Sequence, residues 1–224
     1  MILYGGGSGH PFRQTSEALA TMLAALDVEA DLEMDIEAGL AALAGYDLLA
    51  INALRWTMTQ HEKYDAERPQ WGLDLSAAGR AMVQAHMARG RGLVGLHTAS
   101  ICFDTWPGWR DVLGGAWVWG QSYHPPKGPV AVTIDPAAAQ AAGLEDFTVD
   151  DEVYYHLDLL PGLDIWAQAD AGAGPQPFVW THRVGPGRVF YDGLGHDVAS
   201  METPAHRALL ARGLAWALGR IGEG

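Results

Sequence analysis

Three histidines follow short apolar runs in this chain. His97 closes Leu93-Val-Gly-Leu96, His10 follows Ile2-Leu-Tyr4 and a glycine-rich turn, and His196 comes shortly after Val189-Phe-Tyr191. In an open α/β sheet, residues just past the carboxyl ends of the strands face the ligand crevice. An acidic cluster, Asp150-Asp151-Glu152, with Tyr154 close behind it, is a fourth candidate for the same edge. Imidazoles beside a carboxylate suit general acid–base work, because histidine changes charge near neutral pH. We assign His97 as general acid or base, His196 as its counterpart and Glu152 as the orienting or second carboxylate. His10, Asn52, His124 and Tyr154 are the candidates for holding substrate. On this reading no cofactor is required. Alternatively, His10, His97, His196 and Glu152 are ligands of a divalent metal such as zinc, which takes nitrogen and oxygen donors and keeps one position open in catalytic sites. Spacing does not decide between the two, because no pair of these residues lies within one helical turn. For a single histidine the plainer role is a hydrogen-bonded structural residue, and for Asp150 to Glu152 a solvated turn. The shared strand-end placement of three histidines favours a site.

Other motifs are weaker. In Gly5-Gly-Gly-Ser-Gly-His10 the third glycine of a dinucleotide fingerprint falls on His10, and no Gly-Lys-Ser/Thr follows. The turn reads as a device for bringing His10 to the sheet edge. His61-Glu62 resembles the start of a zincin helix, but position 65 is Asp instead of the second histidine; the pair reads as solvent-exposed. Cys102 is the only cysteine, which excludes an intrachain disulfide and a cysteine-rich zinc site. Net charge is −13, from 14 basic and 27 acidic residues, which argues against nucleic acid or an anionic membrane as partner. No apolar stretch approaches the ~20 residues needed to span a bilayer, and the start carries no signal-peptide pattern. The expected location is the cytoplasm.

The elements that must position these residues follow from periodicity. Ile2–Tyr4, Val28–Leu32 (at an edge), Tyr46–Asn52, Leu93–Leu96, Val130–Ile134, Leu163–Ala167, Pro177–His182 and Arg188–Asp192 read as strands. Gly185-Pro-Gly187 makes a hairpin of the last two. Leu19, Met22, Leu23 and Leu26 mark a helix after the first strand. Ser76–Arg89 reads as a second, with Ala78, Met82, Ala85 and Met87 inward and Gly90 ending it. Another is expected around Glu37–Ala44, and a short Ala-rich one after Pro136. A last helix is capped by Thr203 with Pro204 at its first position, and Leu210, Leu214, Ala217 and Ile221 face inward. Residues 57–72 are polar and aromatic and could form a lid. Trp117 and Trp119 alternate as on one face of a strand; such a pair is either a sugar-stacking platform or, more commonly, core or oligomer interface. Exposed tryptophans there would point to a homo-oligomer. No linker or repeat divides the chain, so residues 1–224 are expected to form one α/β domain.

Taken together, several segments resemble the ThuA-like (trehalose-utilisation) family. They are Gly9-His-Pro11, Gly92-Leu-Val-Gly-Leu-His97-Thr-Ala, Leu113-Gly-Gly115, His124-Pro125, Asp151-Glu-Val-Tyr154, Gly187-Arg-Val-Phe-Tyr191, Gly195-His196 and Gly213-Leu-Ala-Trp-Ala-Leu218, in order along nearly the whole chain. The resemblance implies a flavodoxin-like, class I glutamine amidotransferase-like fold: a doubly wound, mainly parallel sheet with a C-terminal antiparallel hairpin. It also implies a sugar, such as trehalose or a keto-sugar derivative, as the small-molecule substrate. Amidotransferases place a nucleophilic cysteine after the central strand, where this chain has His97, so glutaminase activity is not expected. His196 stands roughly where those enzymes have their histidine. The chain departs from the family at Ala138-Ala139, where a His-Pro is usual before the Gly-Leu segment, and its tryptophan-rich stretch is heavier.

Overall fold

Strand β4 (Gly92–Leu96) is buried along its whole length. Its side chains enter two different cores: Val94 and Leu96 one, Leu93 the other. A strand covered on both faces needs no polar alternation, which explains its continuous apolar sequence. The computed structural model describes residues 1–222. The other strands are β1 (Ile2–Gly5), β2 (Leu32–Glu33), β3 (Leu48–Ala53), β5 (Gly115–Ala116), β6 (Gly128–Ile134), β7 (Phe147–Asp151), β8 (Asp158–Leu159), β9 (Asp164–Asp170), β10 (Gln176–Val184) and β11 (Gly187–Asp192). The helices are α1 (Phe12–Ala24), α2 (Ile36–Ala42), α3 (Arg68–Trp71), α4 (Ala77–Ala88), α5 (Gly108–Leu113), α6 (Val198–Glu202) and α7 (Pro204–Ala217).

Nine strands form one sheet in the order β2-β1-β3-β4-β11-β10-β9-β6-β7, and β5 pairs with β8 separately. The sheet is parallel from β2 to β11 and antiparallel from β11 to β7. The antiparallel part therefore extends well beyond the β10–β11 hairpin. Helices α1, α6 and α7 cover one face through Leu19, Met201 and Leu210, while α2, α4 and α5 cover the other through Leu40, Val83 and Val112. Following the pairings outward, β1, β4, β11 and β7 all run in the same direction, so their carboxyl ends share one edge.

Several local expectations change. Residues 28–30 lie outside the edge strand, which is only Leu32–Glu33. The inward face of α4 is Gly79, Val83, His86 and Met87, so Ala78 and Ala85 point to solvent. Ser76 caps that helix by accepting the Gly79 N–H at 3.0 Å, and Gly90 takes the left-handed φ of 75° that its C′ place demands. Thr203 does not cap α7: its hydroxyl donates back to the Ala199 carbonyl. After Pro136 only a single 3₁₀ turn forms, Ala139–Ala141. Trp117 and Trp119 lie beyond β5 in a turn, because the Trp117 N–H bonds to the Ser100 carbonyl instead of a strand partner. Trp117 and Trp119 are half-buried, and the exposed large apolar side chains among the described residues are Met34 and Tyr123.

The contact of α7 with β11 combines close packing with a buried charge. At Gly213 an added Cβ would sit 2.1 Å from the ring of Phe190, itself fully buried against Trp166. Also on the inward stripe of α7, His206 places Nε2 3.0 Å from Asp192 Oδ2, both residues being inaccessible to solvent. Burial opposes the charge on His206, but Asp192 outweighs it and raises its pKa above the ordinary histidine value.

Two outcomes follow. In a Gly213→Ala variant, alanine gains up to about 1 kcal/mol in helix propensity, but overpacking against a ring that cannot retreat costs about 1–3 kcal/mol. We expect a net loss in urea unfolding, and an unchanged midpoint would contradict the packing. For His206 the folded state holds the proton more tightly than the unfolded chain. Its contribution is therefore complete below about pH 6.5 and is lost as pH rises through the raised value. The stability gap between the protein and His206→Gln should be widest below about pH 6.5 and narrow as the pH rises through the raised value; a gap independent of pH would contradict a charged His206.

Candidate functional site

His97 begins the turn after β4 with φ of 45°, in the left-handed region that non-glycine residues rarely occupy. Three bonds hold this backbone in place. The His97 carbonyl accepts from the Tyr191 hydroxyl at 2.8 Å, Thr98 Oγ1 donates to the Ala53 carbonyl at 2.7 Å, and His97 Nδ1 donates to the Gly193 carbonyl at 2.7 Å. The last bond also selects the tautomer: with the proton on Nδ1, the Nε2 lone pair points away from the sheet and into the site. The Tyr154 hydroxyl donates to that Nε2 at 2.9 Å, His10 Nε2 lies 3.2 Å from it and Glu152 Oε2 lies 3.4 Å from it.

The partners arrive from three other strand ends. His10 follows β1 and stacks on Phe12 at 5.2 Å. The turn before it packs so closely that a Cβ on Gly6 would meet Leu54 at 2.8 Å, which accounts for a glycine there. Glu152 follows β7 and is 7 % exposed. His196 follows β11, with Nδ1 3.5 Å from Glu152 Oε2. His10 Nε2 completes the group at 3.9 Å from the same oxygen. The four donor atoms of His10, His97, Glu152 and His196 lie within 4.8 Å of one another.

The donor set fits a metal ion. Tetrahedral zinc with bonds of about 2.0–2.2 Å holds neighbouring donors roughly 3.3–3.5 Å apart, and the contacts around Glu152 and His97 are 3.2, 3.4, 3.5 and 3.9 Å. The Nδ1 of His196, which faces the carboxylate, is buried and has no hydrogen-bond partner among the described residues. The His97 Nδ1 bond to a backbone carbonyl is the kind of outer contact that orients a ligating imidazole. Protonation states agree for Glu152 and His10, whereas His196, raised by Glu152, would have to give up a proton to become a ligand. Burial alone would raise the Glu152 carboxyl, but the imidazoles of His10, His196 and His97 outweigh it and hold it far below the usual carboxylate range. Burial lowers His10, keeping it neutral, while contact with Glu152 raises His196.

Of the other expected residues, His124 stands at the mouth, 43 % exposed, with Nδ1 3.5 Å from Glu152 Oε1. Tyr154 is buried at the floor, and burial with the nearby Glu152 charge raises its hydroxyl well above the usual value, so it remains a donor. Asn52 is not in the site. It is buried under α1, donating to Thr15 Oγ1 at 2.8 Å and Ser16 Oγ at 2.9 Å. Asp150 is the solvated member of the acidic cluster and pairs with Lys127. His61 is exposed and caps a short turn. Cys102 is buried, with its thiol pushed up to about 12 by burial, which leaves no thiolate for acyl transfer. Beside the site runs an aromatic wall: Trp117 meets Tyr154 edge-on at 5.5 Å and Trp119 at 6.1 Å, and Trp119 stacks on Trp56 at 5.8 Å.

One part of the site was not anticipated. Asp151 turns inward, where it accepts the N–H groups of Glu152 (2.7 Å), Gly195 (2.7 Å) and His196 (3.3 Å) and the hydroxyl of Ser200. Its burial depends on pairing between distant strands, which only the fold reveals. A histidine at position 206, in register with Leu209, Leu210 and Leu214 on the inward stripe, was the readable sign of a buried polar network.

The sequence model of the ThuA family, described as trehalose utilisation, matches residues 1–217. No curated protein matches the chain. Among solved structures, a ThuA-like protein from Parabacteroides merdae superposes with a TM-score of 0.72 at 19% identity, over 97% of this chain and 88% of that one. A ThuA-like protein from Bacteroides uniformis gives 0.70 at 18%, over 96% and 89%. A cytoplasmic protein from Salmonella typhimurium gives 0.62 at 14%, over 98% of each chain. At these identities the structures establish a shared fold, and the match over residues 1–217 establishes the lineage: the chain belongs to the ThuA family.

Proposed function

We propose that the chain is a metal-dependent enzyme acting on a carbohydrate derivative, with His10, His97, His196 and Glu152 as the ligands of one divalent ion. The observation that carries this reading is the convergence of four donor atoms within 4.8 Å at the carboxyl ends of four strands. A divalent ion held there supplies Lewis acidity towards a carbonyl or a water. His97 presents its lone pair in a fixed direction through its bond to Gly193. Tyr154, kept protonated by burial, is placed to donate to an oxygen that gains negative charge. His124, half in solvent beside Glu152, is placed to carry a proton between substrate and water. Trp117 and Trp119 offer ring faces or edges to the apolar side of a sugar. The sugar comes from the family's link to trehalose utilisation, and the reading includes a cytoplasmic location, a small-molecule substrate and no nucleic-acid or membrane partner. No helix among the described residues is long and apolar enough to cross a membrane.

A second reading rests on the 2.9 Å bond from Tyr154 to His97 Nε2, which occupies the lone pair a metal would need. There, His97, His196 and Glu152 carry paired proton transfers on a keto sugar without a metal.

Elemental analysis separates the two. We expect about one divalent ion per chain in the purified or zinc-incubated protein and a loss of at least about tenfold in occupancy in His97→Ala/His196→Ala. Turnover on a panel of keto and acylated sugars should fall with chelator and return with metal. A protein that retains no ion but turns over a keto sugar would support the acid–base reading. Sugar-dependent thermal stabilisation that survives His97→Ala, without turnover, would instead indicate a binding protein.

A further inference from the structure

Two of the four ligand candidates sit on backbone whose course is set by buried carboxylates outside the site. Asp192, at the end of β11, accepts the Leu194 N–H through Oδ1 at 3.0 Å. Asp151 accepts the N–H groups of Gly195, His196 and Glu152. The Gly193 carbonyl that receives His97 Nδ1 belongs to the same peptide unit as the Leu194 N–H. The turn from Gly193 to His196 is thus held by two acids at once, and its carbonyl in turn holds a third ligand.

Two buried carboxylates need a compensating donor, and a single residue provides it. His206 Nε2 lies 3.0 Å from Asp192 Oδ2, and its Nδ1 lies 2.9 Å from the Ser200 carbonyl and 3.1 Å from Ser200 Oγ. A carboxylate and a carbonyl both accept, so the ring donates from both nitrogens and carries a positive charge. The Ser200 hydroxyl passes its proton in a hydrogen bond to Asp151 Oδ2, closing the chain Asp192–His206–Ser200–Asp151. All four side chains are at most 1 % exposed. The ring of Phe147 lies nearly parallel to that of His206, with centroids 6.3 Å apart.

We infer that His206, inaccessible on α7, is a positioning residue: through Asp192 and through Ser200–Asp151 it fixes the 193–196 turn and Glu152, and thereby three of the four converging donors. His97 is held by the Gly193 carbonyl, His196 by its own N–H on Asp151, and Glu152 by its N–H on the same acid. Only His10 is set independently. The inference rests on the metal-centre reading for its functional consequence but not for its geometry.

The test compares the parent, His206→Gln, Ser200→Ala and Leu214→Ala, the last removing a buried side chain from α7 two turns away. Zinc affinity of each metal-free protein is measured by chelator competition. His206→Gln should weaken zinc by at least about tenfold, the scale of outer contacts to ligands, and Leu214→Ala should stay within about twofold despite unfolding earlier in urea. Ser200→Ala keeps both acids and the histidine but breaks the bridge; it should also weaken zinc, and it serves if His206→Gln fails to fold. Zinc bound as tightly by either variant as by the parent would overturn the inference. A second readout needs no metal: proton NMR of the His97 Nδ1–H, a slowly exchanging downfield signal while it donates to Gly193. It should be present in the parent and in Leu214→Ala and lost in His206→Gln. Its persistence in His206→Gln would overturn the positioning role. A parent that binds no zinc would sink the metal reading alone and leave this signal to decide.

Discussion

The hydrogen bond from His97 Nδ1 to the Gly193 carbonyl joins the two strands on which the site depends. It crosses from the turn after β4 to the turn after β11, which lie side by side in parallel. It fixes which nitrogen of His97 carries the proton, and so which one is free to act. It also offsets the cost of holding His97 at φ of 45°, because a residue forced into that region persists only where its surroundings determine it. If the bond is lost, the ring can turn, the tautomer is no longer set, and Nε2 leaves its place against His10 and Glu152.

Strand direction explains how a carboxylate reaches three imidazoles. The parallel half of the sheet delivers His10, His97 and His196, and the antiparallel half returns β7 in the same sense, so Glu152 emerges at the same edge. Bringing a buried carboxylate there is costly, and the surrounding imidazoles more than offset that cost. Asp151, the preceding residue, faces the opposite way and is spent on backbone N–H groups. Adjacent acids thus divide the work: one faces the reaction edge, the other the turn that supports it.

Much of this was legible in the residues. The apolar runs before His10, His97 and His196 placed all three at strand ends, and the family resemblance was carried by motifs spread over the chain. Asn52 was misplaced for a reason of parity. It shares a face of β3 with Leu48 and Ala50, the face covered by α1, and the strand continues one residue beyond it. Trp117 and Trp119 alternate like strand residues, but Ser100 and Ser122 capture the nearby backbone and turn it out of the sheet. Met87 faces inward on α4 as expected, but Gly79, Val83 and His86, not Ala78 and Ala85, make up the rest of its buried face. The network from Asp192 to Asp151 joins positions far apart in the chain, and no periodicity reports such a contact.

We propose that these four side chains form one ion-binding centre. Crystals grown with zinc, measured at the zinc absorption edge, test it directly. On the proposed metal reading a single strong anomalous peak is expected within bonding distance of His10 Nε2, His97 Nε2, His196 Nδ1 and Glu152 Oε2, with the Tyr154 hydroxyl released from His97. No peak at that edge of the sheet, with Tyr154 still bonded to His97 Nε2, would contradict it.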